Sequence, residues 1–383
     1  MKLADKPERF GEHDNAFGFL RLLFASLVIV SHTPEIVDGD PHREVLHWLT
    51  GGMTFGGFAV YGFFVISGYL ITGSYLKSGS TGTYLIKRIA RIYPAFIVAS
   101  LFSLLVVAPA AGAYLEQSVW RTAAGAVAHV AILARPMLLG AFAGTHYAEI
   151  GSALNGAMWT IQYEFACYLL VIALGAMGLI RRPMIVGSAA LLLVVLAGFI
   201  PAGRLLWLSN RNLFPGPPAA LFEMIGMFLA GSTFYLIGER VGFSRISIPL
   251  ASVAFVALLF IPQLNGMTYA VLGSYLIFAA ARFGARTWLG KVNNETDISY
   301  GLYLYAWPVE QLLIWYKVTD NLFLLGALTW LLAAMLGWLS WIAIEKPALW
   351  WARKHLRAGT ARAPSTPVQT AASSPAHESG NGT

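Results

Sequence analysis

The chain has 383 residues, of which 57% are hydrophobic and 12% are charged, and its formal net charge is +7. A soluble domain carries about 25% charged residues, so roughly half of the usual charge is present here. The mean hydropathy is +0.62. These values exclude an ordinary soluble globule, a disordered chain and a disulfide scaffold. The single cysteine, Cys167, allows no intrachain disulfide.

Long apolar runs alternate with short charged stretches along the whole chain. Each run is long enough, or nearly so, to cross about 30 Å of hydrocarbon at 1.5 Å per residue. The runs occupy residues 17–36, 53–75, 92–113, 121–140, 157–180, 184–203, 217–238, 247–262, 266–283, 298–316 and 321–345. The pattern predicts an all-α, polytopic transmembrane helical bundle.

Lys and Arg residues indicate which runs cross the membrane. If the N-terminus is cytoplasmic and 121–140 does not cross, most basic residues fall in inner loops, as the positive-inside rule requires. If 121–140 did cross, every later basic cluster would face outward. We therefore predict about ten spanning helices, both termini cytoplasmic, and 121–140 as a re-entrant or interfacial helix. Lys and Arg residues in cytoplasmic loops explain the positive net charge better than binding to nucleic acid does, and we do not expect a nucleic-acid partner.

Three parts follow from this reading. Residues 1–16 form a polar cytoplasmic segment, 17–346 the transmembrane domain, and 347–383 a cytoplasmic tail that is basic and then disordered. The end of the tail is rich in Ala, Ser, Thr, Pro and Gly and has no apolar face to bury.

Two ionisable residues share the first span. Arg21 and His32 are eleven positions apart, which at 100° per residue amounts to about three whole turns and roughly 16 Å along the axis. They therefore lie on one helix face, with Arg21 near the cytoplasmic end and His32 towards the outer end. A snorkelling arginine and a packing histidine are the alternative interpretations.

A pair of arginines stands at the cytoplasmic mouth of the third span. Arg88 and Arg91 are three positions apart and share a helix face. Paired guanidinium groups suit phosphate oxygens, so this pair is a candidate phosphate-binding site. Plain topology-setting charge is the alternative.

Carboxylates populate the outer halves of the predicted spans. Glu164 lies early in its span and Glu35 lies just beyond His32. Either carboxylate is a candidate to orient the imidazole. Glu223 and Glu310 are interpreted as solvated helix ends. No convincing metal-ligand spacing is present, so no metal is expected.

Several motifs together resemble the bacterial membrane-bound acyltransferase family three. They fall in the family's order and span roughly 17–350. The motifs are Arg21 with His32, Phe63–Leu70, Arg88–Pro94, Trp159–Glu164, Asp297–Leu304 and Glu345–Pro347. The resemblance implies a stand-alone acyltransferase domain that modifies surface glycans.

The resemblance also implies roles for individual residues. His32 matches the family's catalytic base, while Arg21, Arg88 and Arg91 match positions associated with the acyl-coenzyme A donor. Trp159 and Tyr303 lie in two further matching motifs and are expected to contact substrate. One departure concerns the histidine that many members carry before a Trp-Pro pair, because Ala306 occupies that position here.

The residues and the resemblance lead to one functional expectation. The chain is expected to be a multi-pass protein of the bacterial inner membrane that moves an acyl group, most simply acetyl, from cytoplasmic acyl-CoA to a sugar hydroxyl. The acceptor is a surface polysaccharide, an exopolysaccharide or a lipid-linked precursor. Membrane lipids and polysaccharide-assembly proteins are further expected partners. The alternatives are acylation of a small molecule, succinyl transfer, a transporter or flippase of glycan precursors, and a structural subunit of an assembly complex.

Overall fold

The computed structural model describes residues 15–40, 43–113, 121–138, 140–146, 153–201, 204, 217 and 219–361. Within these residues the chain is helical and forms no β-strand, only one isolated bridge between Met137 and Ala153. The helices are α1 Phe17–Asp38, α2 Val45–Thr50, α3 Phe55–Lys77, α4 Thr81–Ala110, α5 Ala123–Ala131, α6 Trp159–Ala176, α7 Pro183–Phe199, α8 Ala220–Ile237, α9 Ser247–Leu259, α10 Pro262–Ala285, α11 Ser299–Trp315, α12 Leu322–Ser340 and α13 Lys346–Ala361. A π-helical turn, Trp341–Glu345, joins α12 to α13.

Seven helical stretches of the described chain are long and apolar enough to cross a membrane. They are α1, α3, α4, α6, α8, α10 and the continuous α12–α13. The other three expected spans coincide with the shorter helices α7, α9 and α11, of 17, 13 and 17 residues. At 1.5 Å per residue α9 covers only about 20 Å. The polytopic all-α fold is confirmed, while the count of about ten spans stays a prediction.

Glycines set the closest helix crossing in the bundle, between α3 and α8. A Cβ atom added to Gly68 would collide with the carbonyl of Phe228, and one added to Gly231 would collide with the carbonyl of Val65. Small residues let two helix backbones approach each other closely. Such close packing matters in a membrane, where the hydrophobic effect contributes little to helix association. Gly68, one of the small residues of the second apolar run, therefore serves packing.

The helix that carries Arg21 and His32 lies in the middle of the bundle. One side of α1 packs on α3, and the other packs on α11 and α12. Gly301 of α11 faces Gly337 of α12, and this close approach brings α12 near to α1. Three helices thus pack on α1, while its apolar residues Leu23 and Val30 stay exposed.

The segment 121–140 contains one short helix, α5, of nine residues. Nine residues rise only about 14 Å, less than half of the hydrocarbon thickness, so α5 does not span the membrane by itself. At the other end of the chain, α13 occupies the basic part of the expected tail. The expected disordered end beyond 361 and residues 1–14 of the N-terminal segment lie outside the described residues.

Candidate active site

Helices α1, α3, α4, α6 and α11 enclose a cavity of about 140 Å³, which we call the arginine cavity. All three arginines singled out from the sequence line it. Its polar lining residues are Arg21, Ser67, Arg88, Arg91, Thr160, Glu164, Tyr168, Ser299, Tyr300 and Tyr303. The remaining walls are apolar side chains of α3, α4 and α6, so the charged groups stand in an otherwise apolar chamber.

Two of the arginines are held by carboxylates. Arg91 donates to Asp297 Oδ2 at 2.7 Å and to Glu345 Oε2 at 3.3 Å, and Arg21 lies 3.2 Å from the same oxygen of Asp297. Ser299 Oγ donates to the other oxygen of Asp297 at 2.5 Å. Burial opposes ionisation of Asp297, but Arg21 and Arg91 outweigh it and hold the pKa of this carboxyl well below its usual range.

Arg88 has different surroundings from Arg91, although it lies on the same helix face. Its guanidinium donates to Ser74 Oγ at 3.4 Å and lies 5.9 Å and 5.8 Å from the ring centres of Tyr84 and Tyr168. Its buried Nε has no hydrogen-bond partner. Within the described part of the chain, no carboxylate forms an ion pair with Arg88, and Glu164 is the carboxylate that lines the cavity beside it.

His32 is held by a carboxylate near the far end of α1. Its Nδ1 lies 2.8 Å from Glu35 Oε2. Because an ionised carboxylate only accepts hydrogen bonds, this contact favours the tautomer of the neutral imidazole that carries its proton on Nδ1 and its lone pair on Nε2. The ring of Trp307 stands edge-on to the imidazole, with centroids 4.8 Å apart.

One face of α11 connects the arginine cavity with His32. Tyr300 lies 5.5 Å below the Arg91 guanidinium, Tyr303 lines the cavity and Trp307 packs on His32. One turn further on, Glu310 accepts a hydrogen bond of 2.5 Å from Thr33 Oγ1. Ten residues separate Tyr300 from Glu310, which corresponds to about 15 Å and matches the Arg21–His32 separation.

Of the other expected site residues, Glu164 and Tyr303 line the cavity and Trp159 does not. Glu164 accepts hydrogen bonds from Tyr168 at 2.6 Å and Ser67 at 3.3 Å, so it lies among the arginines, and the structure does not bring it to His32. Tyr303 donates to the carbonyl of Ala157 at 2.6 Å and lies 2.7 Å from Thr160 Oγ1. Trp159 stacks edge-on against Tyr163 and does not line the cavity.

Sequence reasoning misplaced two carboxylates, Glu310 and Glu223, and missed Trp307, which lies beside the imidazole. Glu310 was expected at a solvated helix end, but it is 1% exposed and bonded to Thr33. Glu223, interpreted in the same way, accepts a hydrogen bond from Tyr61. Residues 300, 303, 307 and 310 share one face of α11. This spacing could have placed Trp307 and Glu310 on the same helix face as Tyr300 and Tyr303, which line the cavity. Among the described residues, no three His, Cys, Asp or Glu side chains are grouped closely enough to hold a metal.

Comparison with known proteins identifies the family to which the chain belongs. A family model described as an acyltransferase domain matches residues 14–345. The chain is also similar to an O-acetyl transferase of Shigella phage Sf6, with 28% identity over 342 residues, which is 87% of this chain and 95% of the relative. No solved structure matches the chain significantly.

Proposed function

The chain belongs to this acyltransferase family and is a membrane O-acetyltransferase, and we propose that it takes the acetyl group from cytoplasmic acetyl-CoA. The proposed acceptor is a hydroxyl of a cell-surface polysaccharide, an exopolysaccharide or a lipid-linked precursor. The observation that carries the proposal is the position of His32, held by Glu35 at one end of a helix whose other end reaches the arginine cavity.

The donor is proposed to bind with its phosphates at Arg88. This guanidinium forms no ion pair among the described residues, whereas Arg21 and Arg91 already share Asp297. A phosphate at Arg88 gains charge-assisted hydrogen bonds without breaking an ion pair. Arg21 and Arg91 then contribute positive potential at the cavity wall. The basic loops next to the cavity support a cytoplasmic entrance in the inner membrane, with both termini cytoplasmic.

His32 is proposed to act as the general base. Its Nε2 takes the proton from the sugar hydroxyl while the hydroxyl oxygen attacks the thioester carbonyl. The new ester bond forms as the carbon–sulfur bond breaks, and the imidazolium returns the proton to the departing thiolate. Glu35 keeps the ring in the tautomer that this step needs and stabilises the imidazolium.

The first test is mass spectrometry of surface polysaccharide from a deletion strain that expresses wild type, His32→Ala or an empty vector. We expect the acetyl increment only with wild type. His355→Ala, which changes an exposed histidine of α13, is the matched control and should restore acetylation. Acetylation by His32→Ala at the wild-type level would remove His32 as the base.

The test also separates the alternatives. Purified protein incubated with radiolabelled acetyl-CoA should release labelled acetyl groups at a rate that depends on His32. A transporter would release none. A succinyl increment on the glycan would correct the acyl group, and labelled small molecules with an unchanged glycan would redirect the acceptor.

A further inference from the structure

A second polar cavity, which we call the outer cavity, lies at the end of the bundle where α1 carries His32. Its volume is about 150 Å³. It is lined by the segment before α3, the end of α7, the first turn of α8 and the start of α10. Gly52 and Gly57 form part of its wall, and a Cβ atom at Gly52 would stand 2.9 Å from Pro262 and 3.1 Å from Asn265. The glycines therefore keep this space open.

Hydrogen-bond acceptors dominate the polar groups of the outer cavity. Glu223 of α8 is partly buried and accepts a hydrogen bond from the Tyr61 hydroxyl. Asn265 is only 7% exposed, and its buried Oδ1 has no hydrogen-bond partner. A buried amide oxygen without a partner costs free energy, so its presence in a cavity wall indicates a donor that arrives from outside the chain.

The charge of the lining limits what this donor can be. Among the described residues, no Lys, Arg or His lines the outer cavity, so this lining offers no countercharge to a phosphate or another anion. A carboxylate, an amide oxygen and the Thr54 hydroxyl instead complement the O–H groups of a polyol. This chemistry suits a sugar and differs from that of the arginine cavity.

The first turn of α3 adjoins both the outer cavity and the part of α1 that carries His32. Gly56 of α3 packs against Ser31, the neighbour of His32, and a Cβ atom at Gly56 would stand 2.9 Å from Ser31 Oγ. The next residue, Gly57, lines the outer cavity. Because consecutive residues point about 100° apart around a helix, the first turn of α3 contacts the neighbour of His32 with one residue and the outer cavity with the next.

We propose that the outer cavity binds a saccharide unit of the acceptor glycan, next to the unit whose hydroxyl is acetylated at His32. Glu223 and Asn265 accept hydrogen bonds from hydroxyl groups of this unit, and the glycine wall admits its ring. The inference rests on the proposed transfer to a glycan. It adds a subsite that selects the acceptor and takes no part in the chemical step.

The test compares KM values for the two substrates in full-length purified enzyme. The glycan is polysaccharide from the deletion strain, cut to oligosaccharides, and the donor is acetyl-CoA. We expect Glu223→Gln and Asn265→Ala to raise the KM for the oligosaccharides about tenfold or more, as expected for the loss of one hydrogen bond to a bound ligand. The KM for acetyl-CoA and the melting temperature should stay at wild-type values.

Exposed neighbours provide matched controls. Gln263→Ala lies two residues before Asn265, and Glu239→Gln follows the opposite end of α8; both positions are exposed. Neither control should change the KM for the oligosaccharides. Unchanged glycan KM values in both Glu223→Gln and Asn265→Ala would overturn the inference. A second outcome would also overturn it. Ca²⁺ would raise the melting temperature of wild type but not of these two variants, while their KM for the oligosaccharides stayed at the wild-type value, because the cavity would then hold a cation.

Calorimetric titration with the same oligosaccharides separates this inference from the proposed function. If wild type transfers no acetyl group to the glycan, the proposed function fails, and binding still decides the role of the outer cavity. Binding that weakens in Glu223→Gln and Asn265→Ala supports the subsite. Binding that is equal in all variants, or absent in wild type, contradicts it.

Discussion

Glu35 holds the imidazole of His32 through a single contact of 2.8 Å to Nδ1. Glu35→Gln keeps the size of the side chain but allows its amide to donate to Nδ1, which favours the wrong tautomer. We expect kcat for acetyl transfer to fall about 100-fold, within the range that general base catalysis contributes. The KM for acetyl-CoA should not change, because the arginine cavity does not include Glu35. A kcat equal to that of wild type would show that Glu35 does not position the base.

Asp297 joins Arg21 of α1 to Arg91 of α4, and it is the most buried member of this group, with 8% of its side chain exposed. Asp297→Asn leaves two arginines without their shared countercharge. Removing one partner from a buried ion pair destabilises a protein by about 3 kcal/mol or more. We expect a clear drop in the melting temperature in detergent, whereas Asp320→Asn, at an exposed loop position, should match wild type. An equal melting temperature for both variants would contradict this role.

The pH dependence of this loss follows from the lowered pKa of Asp297. A carboxyl whose folded pKa is depressed contributes its stability at every pH above the unfolded value of about 3.9. This contribution disappears only as the pH falls through the folded pKa, which lies lower still. The difference in melting temperature between wild type and Asp297→Asn should therefore stay constant between pH 5 and pH 8. A difference that vanishes within this range would show that the ion pairs do not lower this pKa.

At the same scale, periodicity within one helix explains which site residues could be predicted from the sequence. Arg21 and His32 are eleven positions apart on α1, and simple helix geometry gives their shared face and their separation. The contact of Thr33 with Glu310 spans 277 positions. A single sequence carries no signal for which helices adjoin, so neither this contact nor the hydrogen bond from Ser67 to Glu164 could be derived.

At the scale of helices, the crossing of α3 and α8 depends on two glycines that fit into each other's backbone. Gly231→Leu would drive a side chain into the carbonyl of Val65, which cannot move without displacing α3. Overpacking of a tight interior costs about 3 kcal/mol or more where the backbone must shift. We expect this variant to lose its monodisperse peak in size-exclusion chromatography.

Gly238 provides a control at the end of the same helix. A Cβ atom there meets no heavy atom within 4 Å, so Gly238→Ala should elute like wild type. If Gly231→Leu also eluted as a single folded species, the close crossing of α3 and α8 would be wrong.

Helix positions were easier to predict than helix ends and irregularities. The apolar run 321–345 predicts one span, but the structure continues it through the π turn Trp341–Glu345 into α13. This turn carries Glu345, which contacts Arg91. A π turn contains one residue more than an α-helical turn, and over five residues this addition leaves the apolar pattern almost unchanged. Hydropathy along the sequence therefore does not reveal it.

At the scale of the whole molecule, the orientation in the membrane is a prediction from the basic loops alone. The only native cysteine, Cys167, is fully buried, so wild type should not react with a membrane-impermeant maleimide in intact cells. New cysteines at exposed loop positions therefore report their side of the membrane against a silent background.

Gln263→Cys and Asp320→Cys should be labelled in intact spheroplasts, because both positions are exposed at the end of the bundle assigned to the outer side. Gln263 lies in the first turn of α10, and Asp320 lies in the loop before α12. Glu295→Cys, in the exposed loop before α11, should be labelled only after the membrane is permeabilised. The same orientation places His32 and the outer cavity on the outer side and the arginine cavity towards the cytoplasm, as transfer from a cytoplasmic donor to a surface glycan requires. The reverse labelling pattern would place the acceptor sites in the cytoplasm and remove the case for a surface glycan.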